Sequence, residues 1–271
     1  FWLPLRLAWG LIRPRRQVLG GYFAGVVESF GAKAEGFEPG DQVFGSSGFR
    51  FGAYAQYLCL PASYSIASKP ATITFEEAAS VPLGGLNALH FMRRSEIKAG
   101  EKILINGAGG SIGIFAVQIA KAMGAEVTAV DSAIKKDMLC SIGADHFIDY
   151  TQADFTDSGE KYDVVFNMVA GTAYEKCLNV LNPRGRYLIG NPQLSDILRS
   201  ALTSRFTDKT VTVAFAGERV EELRALGDMI ETGQIKPVVD KVYGIREIAQ
   251  AHFRVETEQR TGAVIIDLKN V

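Results

Sequence analysis

The residues with the clearest chemistry lie between Lys102 and Met123. An apolar run, Lys102-Ile-Leu-Ile-Asn106, meets a glycine cluster, and a pattern of helical spacing then begins at Ile112, Phe115, Ile119 and Ala122. Strand, tight turn and helix in that order set free backbone N–H groups and the positive end of a helix dipole against an anion. Gly107 permits the turn, Gly110 leaves no Cβ between the backbone and a pyrophosphate, and Gly113 lets helix and strand pack closely. Gly107, Gly109, Gly110, Ser111, Ile112 and Gly113 are therefore the expected cradle of a dinucleotide. The register is G-x-x-G-x-x-G, with Ile112 where a strict G-x-G-x-x-G would end. An ordinary strand-to-helix turn without ligand is the alternative.

A second strand, Glu126 to Val130, follows and ends at Asp131, 18 residues past Gly113. The acid that accepts the ribose hydroxyls of such a cofactor stands about 20 residues on. Asp131 would repel a 2′-phosphate and so favours NAD(H). Val169, Ala170 and Gly190 follow later strands, at carboxyl ends where ligands bind in open parallel sheets. His90, His146 and His252 are scattered, with no Ser or Cys beside them in a nucleophile motif, so hydrolase chemistry finds no support. Cys59, Cys140 and Cys177 have neither disulfide nor zinc spacing. They read as small buried hydrophobes in a reducing compartment.

The elements that position these groups alternate beyond Gly100. Strands are read at Lys102 to Asn106, Glu126 to Val130, His146 to Asp149, Tyr162 to Asn167, Arg186 to Ile189 and Val211 to Ala214. Helices are read at Ile112 to Met123, Ile134 to Ile142, Thr172 to Leu181 and Val220 to Thr232. Short, continuously apolar strands between helices predict an α/β fold with a doubly wound parallel sheet. Before it, Phe23 to Ser29, the turn and strand at Glu38 to Gly45, and Phe51 to Leu60 predict a β-rich unit. Thr74 caps a helix from Phe75, with Glu77 completing a capping box, and Leu83 to Arg94 continue as helix. The chain closes with Pro237 to Val242, a helix from Ile245 to Val255, and the strand Ala263 to Leu268.

The 271 residues carry 47% apolar and 22% charged residues and a net charge of −1, the balance of a soluble globular protein with no footprint for nucleic acid. Basic clusters at Arg13, Arg15 and Arg16, and at Arg93 and Arg94, read as solvated faces. No apolar stretch reaches the roughly 18 residues of a membrane helix, and Pro4 and Arg6 interrupt the apolar start, which is no signal peptide. The chain begins without methionine inside an apolar segment, so a truncated or processed form is expected.

The order of features resembles the medium-chain dehydrogenase/reductases, in their zinc-independent quinone oxidoreductase branch. The matching stretches include Phe23 to Gly31, Phe37 to Gly45, Ala78 to Leu89, Ile105 to Gly113, Ile142 to Tyr150, Gly185 to Gly190 and Arg260 to Ile265. The resemblance implies a GroES-like catalytic domain at 1–83 and 235–271 and a nucleotide-binding Rossmann domain at 84–234. It implies NAD(P)H-dependent reduction of quinones, enones or related small carbonyl compounds in a cytoplasmic protein. Zinc-using members carry Gly-His-Glu near Gly20-Gly21-Tyr22, where this chain has no ligand, so no metal is expected. Oxyanion stabilisation then falls to Asn87, where relatives have threonine, and to Tyr22; both could instead only line the site. Ser132, Lys135 and Lys136, with Tyr150, occupy positions similar to the family's 2′-phosphate contacts, which tips the expected cofactor to NADP(H). Lys135 and Lys136 on an exposed helix face are the alternative. Ala263 stands where relatives often have lysine, and the family's usual first segment is unmatched, so an incomplete pocket is expected. A homodimer across the edge strand Val211 to Ala214 is expected too, with a monomer whose edge is covered as the alternative. A nucleotide-binding protein with little catalysis and an alcohol dehydrogenase are the competing functions.

Overall fold

The computed structural model describes residues 10, 17–32, 34–214 and 216–268. Arg13, Arg15, Arg16 and the apolar start lie outside the described residues.

The parallel sheet forms as expected. Its strands are β4 (Lys102–Asn106), β5 (Glu126–Asp131), β6 (His146–Asp149), β7 (Tyr162–Asn167), β8 (Leu181–Ile189) and β9 (Thr210–Val213), in the order β6-β5-β4-β7-β8-β9. Every neighbouring pair is parallel. β4 is covered on both faces: Ile103 and Ile105 enter one apolar cluster, while Leu104 enters another with Val165, Tyr174 and Tyr187. A strand buried on both sides has no polar face to show, which is why its sequence does not alternate. The register pairs Asn106 with Val130 and with Asn167, Asp131 with Asp149, and Asn167 with Ile189. These residues thus share the carboxyl end of the sheet.

The β-rich unit is an antiparallel sheet of β1 (Tyr22–Val26), β2 (Gln42–Ser46) and β3 (Ile66–Ser68). The strand expected at Phe51 to Leu60 does not form. Phe51 and Gly52 turn through positive φ, and the amides of Gly52, Ala53 and Tyr54 donate to Leu19 and Gly20 instead of to a partner strand. β10 (Val239–Gly244) and β11 (Ala263–Asp267) pair in parallel.

The helices are α1 (Phe75–Ser95), α2 (Ser111–Ala122), α3 (Lys136–Ser141), α4 (Tyr174–Asn179), α5 (Leu194–Phe206), α6 (Val220–Glu231) and α7 (Ile248–Glu256). α1 starts as predicted: Glu77 N donates to the Thr74 hydroxyl, and Thr74 N donates to the Glu77 carboxylate. It then runs unbroken through Pro82 and across positions 83 and 84, so one helix joins the two expected units. A side chain at Gly84 would collide with the Ser111 carbonyl and the Phe115 ring, so α1 and α2 touch almost backbone to backbone there. α3 is shorter than expected because a 3-10 turn, Ala133–Lys135, precedes it. α5 is an addition to the sequence reading. Of the cysteines only Cys177 is buried; Cys59 and Cys140 are exposed, because neither falls on an inward-facing position.

Candidate active site

The glycine turn leaves β4 at Gly107, whose φ of 86° is open to glycine. Gly107 N and Ala108 N both donate to Val130 O, which ties the loop to the end of β5. At Gly113 a Cβ would strike the carbonyls of Gly107 and Ala108, the close helix-on-strand packing that the sequence implied. At Gly110, the N-cap of α2, the Cβ position meets only Gly107 O at 3.3 Å, leaving an open approach to the helix end. Gly109 has a reason the sequence did not give. Its Cβ position is filled by the aliphatic stem of Lys135 and lies 3.0 Å from Asp131 Oδ2.

Asp131 and Lys135 form a buried ion pair at 3.0 Å, with 6% and 4% of their surfaces exposed. The Asp131 carboxylate also accepts from Gly109 N at 2.7 Å and from Ser132 N at 2.8 Å. Three donors hold it, so the carboxylate cannot turn aside to make room for a phosphate. Lys135 is neither an exposed helix residue nor a free cation: four carbons of stem cross the loop and end on Asp131. Lys136 is exposed. Tyr150 N donates to Asp131 O, and its side chain is exposed; Ser132 is half-buried. The structure thus gathers Gly109, Asp131, Ser132, Lys135 and Tyr150 at one corner, where the adenosine ribose of a dinucleotide would lie.

Across the sheet end, the Asn106 amide donates to Asn167 Oδ1 at 2.9 Å, and Asn167 Nδ2 reaches the Tyr187 hydroxyl and Val169 O. Burial pushes the Tyr187 phenol far up, so it stays protonated in this network. Val169 N returns to Asn167 Oδ1, and the Val169 methyl stands over Gly107. Gly190 N bonds Asn167 O, and a Cβ there would press on Met168 and Phe166. Val169, Gly190 and the glycine loop are therefore neighbours, braced by two buried asparagines that the sequence reading passed over. Ala170 is exposed on the same loop.

A cleft of about 1170 Å³ opens between β1, residues 53–62, the first turns of α1, and β11. Tyr22, Tyr54, Phe75 and Leu83 line it, and it runs to Ser111 and Arg260 at the start of α2. Arg260 Nη1 bonds Ser111 Oγ at 3.3 Å and Gly262 O at 3.1 Å, while its Nε is buried without a hydrogen-bond partner. A helix N-terminus with a partly engaged guanidinium beside it suits the pyrophosphate of a dinucleotide. Arg260 is held there by its segment: Asp240 on β10 receives Arg254 Nε at 2.9 Å and Nη2 at 3.0 Å, and also Thr261 N. The Arg254 bonds hold the Asp240 carboxyl below the usual carboxylate range.

The two residues expected to meet an oxyanion are both partly engaged. The Tyr22 hydroxyl donates to Glu218 Oε1 at 3.4 Å, and Glu218 Oε2 also receives the Ser46 hydroxyl at 2.7 Å. Burial first, then Glu218, push the Tyr22 phenol up to about 12. Asn87 spends one amide hydrogen on Leu83 O, one turn back in α1, and keeps a second. Among the described residues no three metal-ligating side chains come together.

Two family models match the chain: an alcohol dehydrogenase GroES-like domain over residues 6–71 and a zinc-binding dehydrogenase over residues 142–266. A quinone oxidoreductase of Pseudomonas aeruginosa is 31% identical over 267 residues, 92% of this chain and 81% of that protein. The 2-methylene-furan-3-one reductase of Solanum lycopersicum is 31% identical over 264 residues, 93% of this chain but 64% of that protein. Among solved structures, the quinone oxidoreductase from Coxiella burnetii superposes with a TM-score of 0.87 at 25% identity, covering 99% of this chain and 84% of that one. Sheet order, glycine turn and these matches agree: the chain belongs to the medium-chain dehydrogenase/reductase family, in its quinone oxidoreductase-like branch.

Proposed function

We propose that the chain reduces quinones, enones or related small carbonyl compounds with a reduced nicotinamide dinucleotide and without zinc. The observation that carries this reading is the cleft that ends at Arg260 and the N-terminus of α2. A nicotinamide bound there supplies hydride transfer. The chain's own part is to hold, orient and shield. The amides at the start of α2 and Arg260 bind the pyrophosphate, while Asp131, Ser132, Lys135 and Tyr150 receive the adenosine ribose. The Asn106–Asn167 brace fixes the Val169–Ala170 loop beside Gly107, and the side chains of the cleft keep water from the reacting carbon. The second amide hydrogen of Asn87 is the donor for an oxyanion; Tyr22 can join only by leaving Glu218.

NAD(H) is the proposed cofactor, because three donors hold the Asp131 carboxylate in place and the Lys135 charge is spent on it. NADP(H) is the second reading, favoured by the convergence of Ser132, Lys135 and Tyr150 at the same corner. Relatives supply the same theme: an Arabidopsis thaliana protein 31% identical to this chain is an NADPH-dependent alkenal/one oxidoreductase. The protein is proposed to work in the cytoplasm as a homodimer. No helix among the described residues is long and apolar enough to cross a membrane.

The test is the loss of reduced-nicotinamide absorbance when the purified chain meets 1,4-benzoquinone or a simple enone, with NADPH and NADH in separate runs. Acceptor-dependent oxidation supports the reductase, and the better cofactor assigns the ribose corner. Saturable binding without oxidation by any acceptor would leave a nucleotide-binding protein and overturn the catalytic reading.

A further inference from the structure

Tyr22 and Ser46 stand directly opposite each other on β1 and β2, so their hydroxyls leave one face of that sheet together. Both end on Glu218, which arrives from the loop between β9 and α6. Ser46 fixes the carboxylate. It is 1% exposed, donates to Glu218 Oε2 at 2.7 Å with Gly21 O a longer second acceptor at 3.3 Å, and accepts Gly48 N at 3.0 Å. Glu218 Oε1 is left to take the Tyr22 hydroxyl at 3.4 Å.

Tyr22 also lines the large cleft, on its β1 wall. What it offers a substrate there follows from where its hydrogen goes. A phenol has one hydrogen to give and oxygen lone pairs to accept with. Burial and Glu218 keep the hydrogen on Tyr22, and the carboxylate takes the one bond that hydrogen can make. The oxygen that remains is an acceptor, strengthened by the charge behind it. It meets a hydroxyl group well and a bare carbonyl oxygen badly, since two acceptors facing each other share no hydrogen.

We propose that Tyr22, positioned by Glu218, selects acceptors that carry a hydroxyl group beside the reducible enone or quinone, with the Tyr22 oxygen accepting that hydroxyl. The inference rests on the proposed reductase and names its substrate class. Tyr22 is the residue that touches the substrate; Glu218 acts through it and is a positioning residue. Without Glu218 the same phenol turns from acceptor to donor, and the selection relaxes toward plain enones.

The experiment compares steady-state reduction of 3-penten-2-one and 5-hydroxy-3-penten-2-one by the full chain with its better nicotinamide cofactor, for the wild type, Tyr22→Phe, Glu218→Ala and Glu218→Gln. Glu218 is exposed and Tyr22→Phe removes only a hydroxyl, so the fold should persist, and circular dichroism verifies it. The wild type should show a KM about tenfold lower for the hydroxylated enone at similar kcat, as one hydrogen bond to a charge-backed oxygen implies. Tyr22→Phe should erase the difference. Glu218→Ala should shrink it from both sides, raising KM for the hydroxylated enone and lowering it for the plain one, whereas a loss of packing alone would move both substrates alike. Glu218→Gln, which still offers an oxygen to Tyr22, should restore most of the preference. Equal KM values in the wild type, or a preference that survives Tyr22→Phe, overturn the inference and leave the reductase standing. A chain that reduces 1,4-benzoquinone but not the hydroxylated enone also overturns the inference alone, and one that reduces neither brings down the reductase reading with it.

Discussion

Lys135 and Asp131 show how one contact changes the meaning of a residue. A lysine near the end of the second strand reads as a phosphate ligand when seen alone, yet here its stem fills the space a Gly109 side chain would need and its charge is matched within the fold. Removing one member of a buried pair strands the other charge. Lys135→Met should therefore cost about 3–5 kcal/mol in denaturant unfolding, and adding Asp131→Asn should return part of it in a double-mutant cycle. Gly113→Ala, which must move two backbone carbonyls, should destabilise by about 1–3 kcal/mol or fail to fold. Tyr22 gives a pH test. Its folded pKa of about 12 lies above the ordinary 10.0, so the unfolded chain loses its proton first. Stability should fall as pH rises from 10 to 12, and Tyr22→Phe should flatten that fall.

At the scale of elements, the strands β4, β5 and β7 are legible from sequence because burial on both faces leaves their middles, Ile103 to Ile105, Val127 to Val130 apart from Thr128, and Val164 to Phe166, apolar without alternation. The glycine turn is legible because its whole geometry is local. The segment Phe51 to Leu60 is not, since its strand-like composition is overruled by amides that turn back to Leu19 and Gly20. Helical spacing in α5 is present in the sequence, but that its large apolar side chains, Leu194, Leu198, Leu202 and Phe206, face outward depends on what packs beneath it. Arg260 and Glu218 escape for a related reason: each meets its partner across more than a hundred residues, so no local pattern announces it. The β10 to β11 connection carries its own prediction. Asp240, held by Arg254 and Thr261, has a lowered pKa, so its contribution is present above about pH 4 and lost as pH falls through the folded value. Asp240→Asn should cost about 2 kcal/mol at neutral pH, remove part of the acid sensitivity, and weaken cofactor binding by loosening Arg260.

For the whole molecule, the sheet brings the ends of β4, β5, β7 and β8 to one rim, and α1 joins that rim to the β-rich unit through its contact with α2 at Gly84. The large cleft and the helix dipole meet at Ser111, which is where a dinucleotide's charge and a small substrate's path would converge. The most direct test of the central claim is a fluorescence titration of the purified chain with NADPH and NADH, beside Arg260→Met. Saturable binding by the wild type, weakened by roughly tenfold or more in the variant as a lost charged hydrogen bond implies, is the predicted result. A wild-type chain that binds neither cofactor would contradict the account at its root.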